Sequence, residues 1–346
     1  MNYLAPEFIA AFLLFLALYW SQRERVVVQN RLLLAVSYLL VATYSFLFVL
    51  ELVVYSAFIY LAARHIQRSR NKKHLAAAIA IAVAHLALMK YLDFFRSASQ
   101  TLLHAVGIRW NLPAAEIALP IGISYYTFQS ITYLVAAWRV QIVVEKPERL
   151  ALYLAFFPTL LAGPICRAGD MLPQYAATAP RAVGETGRIF ILLISALIKL
   201  LWLNAWLEEN WTTPILGNPE QYQPIEVLAG LYAYTLYIYL NFSGYTELVT
   251  AFALLLGIRI ADNFNMPYAA TNLRDFWQRW HISLSTWIRD YLYIPLGGSR
   301  RGLLRTQINV AIAMLLSGLW HGPSVNYLVW GAMHAGGLIL LNLGDR

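Results

Sequence analysis

Apolar blocks approaching the roughly 20 residues of a membrane crossing alternate with short basic loops along most of this chain. The first, Leu4 to Trp20, has no basic residue before it and no small-residue cleavage site after it, which predicts a retained span rather than a leader. Leu32 to Ala63 is too long for one crossing and predicts two helices joined by a tight turn, with Glu51 near the middle of the run. Leu75 to Tyr91 predicts a fourth helix, and residues 92 to 117, with Leu102, Leu103, Val106 and Trp110, an amphipathic surface element. Pro120 to Ala137 predicts another span, ending at Arg139 and the charged loop Glu145 to Arg149. Leu150 to Ala162 is short, and the break at Gly163-Pro164 predicts a helix that stops inside the protein. Ile189 to Trp206 spans again, with residues 207 to 224 read as a loop. Glu226 to Leu240 and Tyr245 to Gly257 are read as two helices hinged at Asn241-Phe242-Ser243-Gly244. Ile308 to Trp320 and Tyr327 to Leu341 are the last two spans.

This pattern predicts an all-α polytopic membrane protein forming a single domain over residues 1–346. Composition agrees: 60% of residues are hydrophobic and 13% charged, against roughly a quarter charged in soluble domains. The net charge of +8 does not call for nucleic acid, because Lys and Arg collect in loops retained on the cytoplasmic side. The clusters around Arg23 to Arg31 and Arg64 to Lys73 are separated by two crossings and so share that side, which places the N-terminus outside. By the same count the segment 258 to 306, with Arg259, Arg274, Arg279, Arg289, Arg300, Arg301 and Arg305, is cytoplasmic. The single cysteine, Cys166, excludes a disulfide framework and a Cys-rich metal site. No Walker A loop, dinucleotide fingerprint, zinc-type His-Glu-x-x-His or Gly-x-Ser-x-Gly is present, which argues against ATP hydrolysis and hydride transfer.

The candidate chemistry lies between residues 262 and 323. If residues 273 to 292 form one helix, Phe276, Trp277, Trp280, Leu284, Trp287 and Tyr291 share an apolar face. Arg274, Gln278 and Ser285 then lie opposite, and His281 falls at the seam. A basic, Trp-rich helix of this kind also suits a plain interfacial anchor. His321 ends an apolar helix and is followed at once by Gly322-Pro323. An ionisable group at such depth is costly and faces a cavity or pathway when it occurs, although a packed, hydrogen-bonded histidine is the competing reading. As a neutral imidazole it can act as general base on a hydroxyl. Arg167, just after the Gly163-Pro164 break, suits an anion or an interfacial position equally. Glu51, Lys90, Lys199 and Glu247 are weaker pathway candidates, the lysines also fitting as snorkelling side chains. His65, His74, His85, His104 and His334 read as structural.

The residues that carry a resemblance are Asp275-Phe276-Trp277-Gln278-Arg279-Trp280-His281-Ile282-Ser283-Leu284-Ser285-Thr286-Trp287, then Arg289 to Gly298, and Leu319-Trp320-His321-Gly322. Upstream, Pro120 to Gln129, Gly163-Pro164-Ile165 with Arg167, and Asn241-Phe242-Ser243-Gly244-Tyr245 add to it. Together they resemble the membrane-bound O-acyltransferase family, in its alginate and peptidoglycan O-acetyltransferase branch. The apolar runs amount to about ten to eleven spanning or partly spanning helices with interfacial helices, and the resemblance implies that they surround a central funnel. It implies His321 as the catalytic histidine and His281 as a second functional position. Arg274, Gln278, Ser285, Arg289, Asp290, Trp320, Asn241 and Arg167 are then candidates for binding donor or substrate. It further implies acetyl-CoA as acyl donor with no tightly bound cofactor or metal, a glycan acceptor, a periplasmic SGNH-type transferase partner, membrane lipid around the chain and an inner-membrane location. D-alanyl transfer to teichoic acid, a transporter and a non-catalytic scaffold stand as alternatives. The chain departs from the branch at Asn241 and Glu247, where Asp is usual, and relatives commonly carry further C-terminal helices beyond the point where Arg346 ends it.

Overall fold

A computed structural model describes residues 3–108, 118–144 and 146–345, so Trp110 and Glu145 lie outside the described residues. The described residues contain helices and no strands. The N-terminal half holds α1 (Pro6–Ser21), α2 (Val26–Ala42), α3 (Phe46–Ser69), α4 (Lys72–Ala105) and α5 (Ile123–Trp138). Shorter pieces follow: α6 (Pro147–Ala155), α7 (Phe157–Leu160) and α8 (Ala168–Ala176). α9 (Thr186–Leu197), α10 (Asn204–Leu207) and α11 (Thr213–Gly217) are joined by π-helical turns into one apolar rod, and α12 spans Pro224–Leu255. The C-terminal part holds α13 (Leu273–Arg279), α14 (Ile282–Ile288), a π-helical turn Arg289–Tyr293, α15 (Leu303–His321) and α16 (Val325–Gly344).

Five of these stretches are long and apolar enough to cross a bilayer: α3, α4, the α9–α11 rod, α15 and α16. α1 and α2 are shorter apolar helices. Local chemistry sets several starts: the Ser45 hydroxyl accepts from the Leu47 amide, the Asn71 side-chain oxygen from the Lys73 amide and the Ser324 hydroxyl from the Asn326 amide, each relieving an orphan donor of a first turn. The main core lies where α1, α2, α3, α5, α6, α7 and α12 meet, with Tyr19, Tyr126, Tyr153, Phe156 and Phe157 fully buried. The basic ends of α3 and α5 lie together, since Arg70 donates to the Trp138 carbonyl at 3.0 Å and the Trp138 indole donates back to the Arg70 carbonyl at 3.2 Å.

The sequence expectations need four corrections. α4 runs unbroken from Lys72 to Ala105, so 92 to 105 continues a span rather than forming a separate surface element. Residues 207 to 217, read as part of a loop over 207 to 224, continue the α9–α11 rod through the π-helical turn Glu208–Thr212 into α11. α12 passes straight through Asn241-Phe242-Ser243-Gly244 with no hinge. Gly244 serves close packing there: a Cβ at this position would meet Leu200 at 2.9 Å and Lys199 at 3.0 Å. Finally, 273 to 292 is not one helix. The backbone of Asn265 donates to the Arg279 carbonyl at 3.0 Å, and the Ile282 amide donates to the Asn263 carbonyl at 2.9 Å. These bonds take the groups a continuous helix would need. The chain therefore turns at Trp280 and His281, with His281 at φ 41°.

Candidate functional site

His281 occupies that turn as the N-cap of α14 and is 2% exposed. A left-handed backbone angle is uncommon for a residue with a Cβ, and it persists only where surroundings over-determine it. Here Asn263 does so, accepting the Ile282 amide on its carbonyl and the Ser283 amide on its side chain at 3.2 Å. The Ser283 hydroxyl in turn accepts the Ile165 amide at 2.9 Å, tying the turn to the segment after Gly163-Pro164. Neither ring nitrogen of His281 meets a hydrogen-bond partner from another residue. Burial, reinforced by the nearby His321, holds its imidazole neutral, well below the ordinary histidine value.

Trp320 stands beside it. The Trp320 ring lies 6.2 Å from the His281 ring and 4.8 Å from the His321 ring, while Phe242 of α12 packs edge-on to His281 at 4.7 Å. His321 is the last residue of α15, exposed, with its ring stacked on Tyr327 at 5.7 Å and edge-on to Trp330 at 5.1 Å. The α15–α16 hairpin that carries it is held at close range by Gly318, where a Cβ would meet the Tyr327 carbonyl oxygen at 2.2 Å.

A cleft of about 640 Å³ approaches this group from the other side. Lys72 and Arg139 line one end, Thr127, Phe128 and Trp287 its walls, and Ser317 and Trp320 its far end. Phe128 stacks on Trp287 at 4.2 Å and on Trp320 at 5.6 Å, and the Trp287 indole donates to the Phe128 carbonyl at 3.2 Å. The Trp320 indole nitrogen and the Ser317 hydroxyl are buried without partners. Along α4 the wall runs from Lys72 to Lys90, about 27 Å at 1.5 Å per residue, comparable with the hydrocarbon thickness of a bilayer.

A second group gathers Arg167, Arg289 and Asp290. Arg167 reaches the Asp290 carboxylate at 2.5 Å, Arg289 binds its other oxygen at 2.7 Å, and the Arg167 guanidinium lies 5.8 Å from the Tyr291 ring centre. Partial burial works against the Asp290 charge, yet the hydrogen bonds from Arg289 and Arg167 outweigh it and hold the carboxyl below the usual carboxylate range. Asp290 also lines the cleft.

The remaining predicted residues lie elsewhere. Arg274 is bound to Asn342 and Asp345, each at 2.8 Å. Gln278 and Asn241 are exposed, and the Ser285 hydroxyl donates to the Trp280 carbonyl at 3.1 Å. Of the histidines read as structural, His85 sits 3.2 Å from Glu51, which also accepts from the Tyr126 hydroxyl at 2.8 Å. His65 and His74 face one another at 2.9 Å on the exposed α3–α4 turn. Lys90 and Lys199 do not snorkel: Lys90 donates to the Trp320 carbonyl and Lys199 pairs with Glu247. Sequence reasoning missed Asn263, Phe128 and Phe242. The two phenylalanines lie in motifs already singled out, and Asn263 lies in the stretch 262 to 323 but outside its motifs.

The arrangement offers a neutral buried imidazole, an exposed imidazole at a helix end, and an aromatic wall between them and a long cleft with a basic mouth. A model of the membrane-bound O-acyltransferase family matches residues 148–343. The probable alginate O-acetylase AlgI of Pseudomonas aeruginosa is 34% identical, over 96% of this chain and 64% of its own length, so the chain spans 64% of that relative. The peptidoglycan O-acetyltransferase of Helicobacter pylori is 28% identical over 73% of this chain and 52% of its own length. The teichoic acid D-alanyltransferase of Bacillus subtilis is 30% identical over 62% of this chain and 57% of its own.

Proposed function

This chain belongs to the membrane-bound O-acyltransferase family, and from that premise we propose that it takes an acetyl group from a cytoplasmic thioester, acetyl-CoA, and delivers it toward a glycan hydroxyl across the inner membrane. The observation that carries the reading is Trp320, whose ring separates the far end of the cleft from His281 and His321. The cleft's length and volume suit an extended thioester arm rather than a purine, so the nucleotide would stay at the mouth near Lys72 and Arg139. His321 accepts the proton of an attacking hydroxyl, the new C–O bond forms at the thioester carbonyl, and the C–S bond breaks. The thiolate that leaves recovers the proton from His321, so the histidine ends neutral. His281, being neutral and without a partner, is suited to hydrogen-bond the reacting groups rather than to carry charge. Arg167 and Arg289 belong to the donor side through Asp290, which lines the cleft.

The acceptor is a periplasmic or secreted glycan of the alginate or peptidoglycan type, reached through a periplasmic SGNH-type transferase that finishes the modification. D-alanyl transfer is the second reading, supported by the teichoic acid relative at lower coverage of this chain. The test is base-labile acetate in isolated wall and secreted glycans, comparing wild type with His321→Ala at equal membrane expression. Loss of acetate from one fraction names the acceptor. Unchanged acetate in every fraction overturns the role of His321.

A further inference from the structure

α15 ends without the closure that helix C-termini usually make. Its last four carbonyls have no acceptor role left within the helix, and the chain beyond them cannot supply one. Gly322 is extended, at φ 175° and ψ 168°, Pro323 has no amide hydrogen, and the Ser324 amide is used on the Gly322 carbonyl. A Schellman or left-handed cap is therefore absent at this end. Two adjacent side chains of α4 act in its place. Lys90 donates its ammonium to the Trp320 carbonyl and Tyr91 its hydroxyl to the Leu319 carbonyl. These residues lie some 230 positions earlier in the chain, so the cap is purely tertiary.

The chemistry of the pair fits the place. A cation at a helix C-terminus is stabilised by the negative end of the helix dipole. Lys90 forms no ion pair among the described residues, and its ammonium lies 5.5 Å from the Trp320 ring centre. A half-buried lysine with no carboxylate at hand is costly in a span, and the unsatisfied carbonyls of α15 are what offset that cost. Lys90 and Tyr91 also line the cleft beside Trp320. The carbonyls they hold belong to the two residues immediately before His321.

We propose that Lys90 and Tyr91 are positioning residues: together they cap α15 from outside and fix Trp320 and His321 against the cleft, so that the exposed imidazole is presented in one orientation. Their role in transfer rests on the acetyltransferase reading above, whereas the cap itself does not. Without the pair, the last turn of α15 frays, Trp320 loses its place between cleft and histidines, and His321 moves. A displacement of about 1 Å at a reacting group costs on the order of 100-fold in rate.

The experiment uses the full chain in nanodiscs with Lys90→Met, Lys90→Arg and Tyr91→Phe. Two quantities are read: amide hydrogen exchange over residues 318–324, and kcat and KM for acetyl-CoA in acetyl transfer to an alginate or peptidoglycan oligosaccharide supplied as the acceptor hydroxyl. Lys90→Met is expected to raise exchange in that segment alone. It should lower kcat on the order of 100-fold while leaving KM and the melting temperature near wild type. Lys90→Arg should restore both quantities, and Tyr91→Phe should show the same effects more weakly. Exchange at 318–324 equal to wild type in Lys90→Met, or raised evenly over the whole chain, overturns the proposal. So does a fall in kcat that only tracks the folded fraction. If wild type transfers no acetyl group, the acetyltransferase reading fails and the exchange measurement alone decides the cap.

Discussion

Arg167 and Asp290 meet at 2.5 Å and join the segment after Gly163-Pro164 to the π-helical turn that follows α14. Both side chains are about a third exposed or less, so the pair stands between a screened surface bridge and a buried one. Removing either partner should cost about 1–3 kcal/mol of stability, more than a surface bridge and less than a buried one. Arg167→Ala leaves Asp290 held by Arg289, whereas Asp290→Ala leaves two guanidinium groups without their anion. The aspartate variant should therefore be the more damaging. Thermal melts of both single variants and the double variant check this, and simple additivity would show that the two residues do not interact.

Trp287 fills the wall of the cleft, stacked on Phe128 and anchored through its indole to the Phe128 carbonyl. Truncation to Ala should cost about 3–5 kcal/mol, as large aromatic deletions in packed sites do. Phe in its place keeps the stack and loses only the hydrogen bond, a loss of about 1 kcal/mol. Urea or thermal unfolding of the two variants in matched nanodiscs is the measurement. Equal losses would mean that the hydrogen bond, not the stacking, holds the wall.

How far the sequence reaches is visible in these same residues. The Gly322-Pro323 pair after His321 marked the end of α15 because both residues act locally on the backbone. The basic residues likewise marked the ends of α3 and α5, which the structure brings together. The break at His281 was not legible. No glycine or proline marks it, and its cause is Asn263, nearly twenty residues earlier, competing for the amides of Ile282 and Ser283. The Ser243-Gly244 pair misled in the opposite direction, since a glycine that permits close helix packing reads in sequence like one that permits a bend. The cap on α15 by Lys90 and Tyr91 depends on a contact across most of the chain, so periodicity carried no trace of it.

His281 sets a pH dependence. Its imidazole is held below the unfolded value of about 6.5, chiefly by burial. The unfolded chain therefore binds a proton that the folded chain refuses. Stability from this group is full above about pH 6.5 and falls as the pH drops toward the lowered folded value. Melting temperatures between pH 7.5 and 5 should decline for wild type, and decline less for His281→Asn. Asparagine is the suitable replacement because it tolerates the left-handed backbone that His281 adopts and does not titrate. An identical slope in both proteins would place the acid sensitivity elsewhere.

Gly318 tests the hairpin that carries His321. An added Cβ would stand 2.2 Å from the Tyr327 carbonyl oxygen, which is backbone and cannot rotate away. Gly318→Ala should therefore force α15 and α16 apart and cost about 1–3 kcal/mol, as overpacking does, despite the better helix propensity of alanine. Gly336, where an added Cβ meets nothing within 4 Å, is the matched control on α16. Thermal melts of Gly318→Ala and Gly336→Ala should separate clearly, and a neutral Gly318→Ala would mean that the hairpin can open at no cost.

Lys199 and Glu247 form an ion pair between the π-helical turn Ile198–Leu203 and α12, at the level where Gly244 lets the two helices approach. The pair is largely enclosed, Lys199 also lies 5.7 Å from the Tyr239 ring centre, and the second Glu247 oxygen has no partner. Both charges are surrounded by apolar spans, so removing one leaves the other with nothing to offset its desolvation. Lys199→Met or Glu247→Leu alone should each cost about 3–5 kcal/mol. Removing both charges at once takes away the desolvation cost together with the attraction. Lys199→Met with Glu247→Leu should then be close to wild type in stability, within about 1–2 kcal/mol. If the pair serves only to hold the helices, acetate on the glycan fraction should survive in the double variant. Loss of acetate with stability preserved would instead assign the pair to the pathway of the transferred group. Melting curves and the base-labile acetate assay on the same membranes read both outcomes.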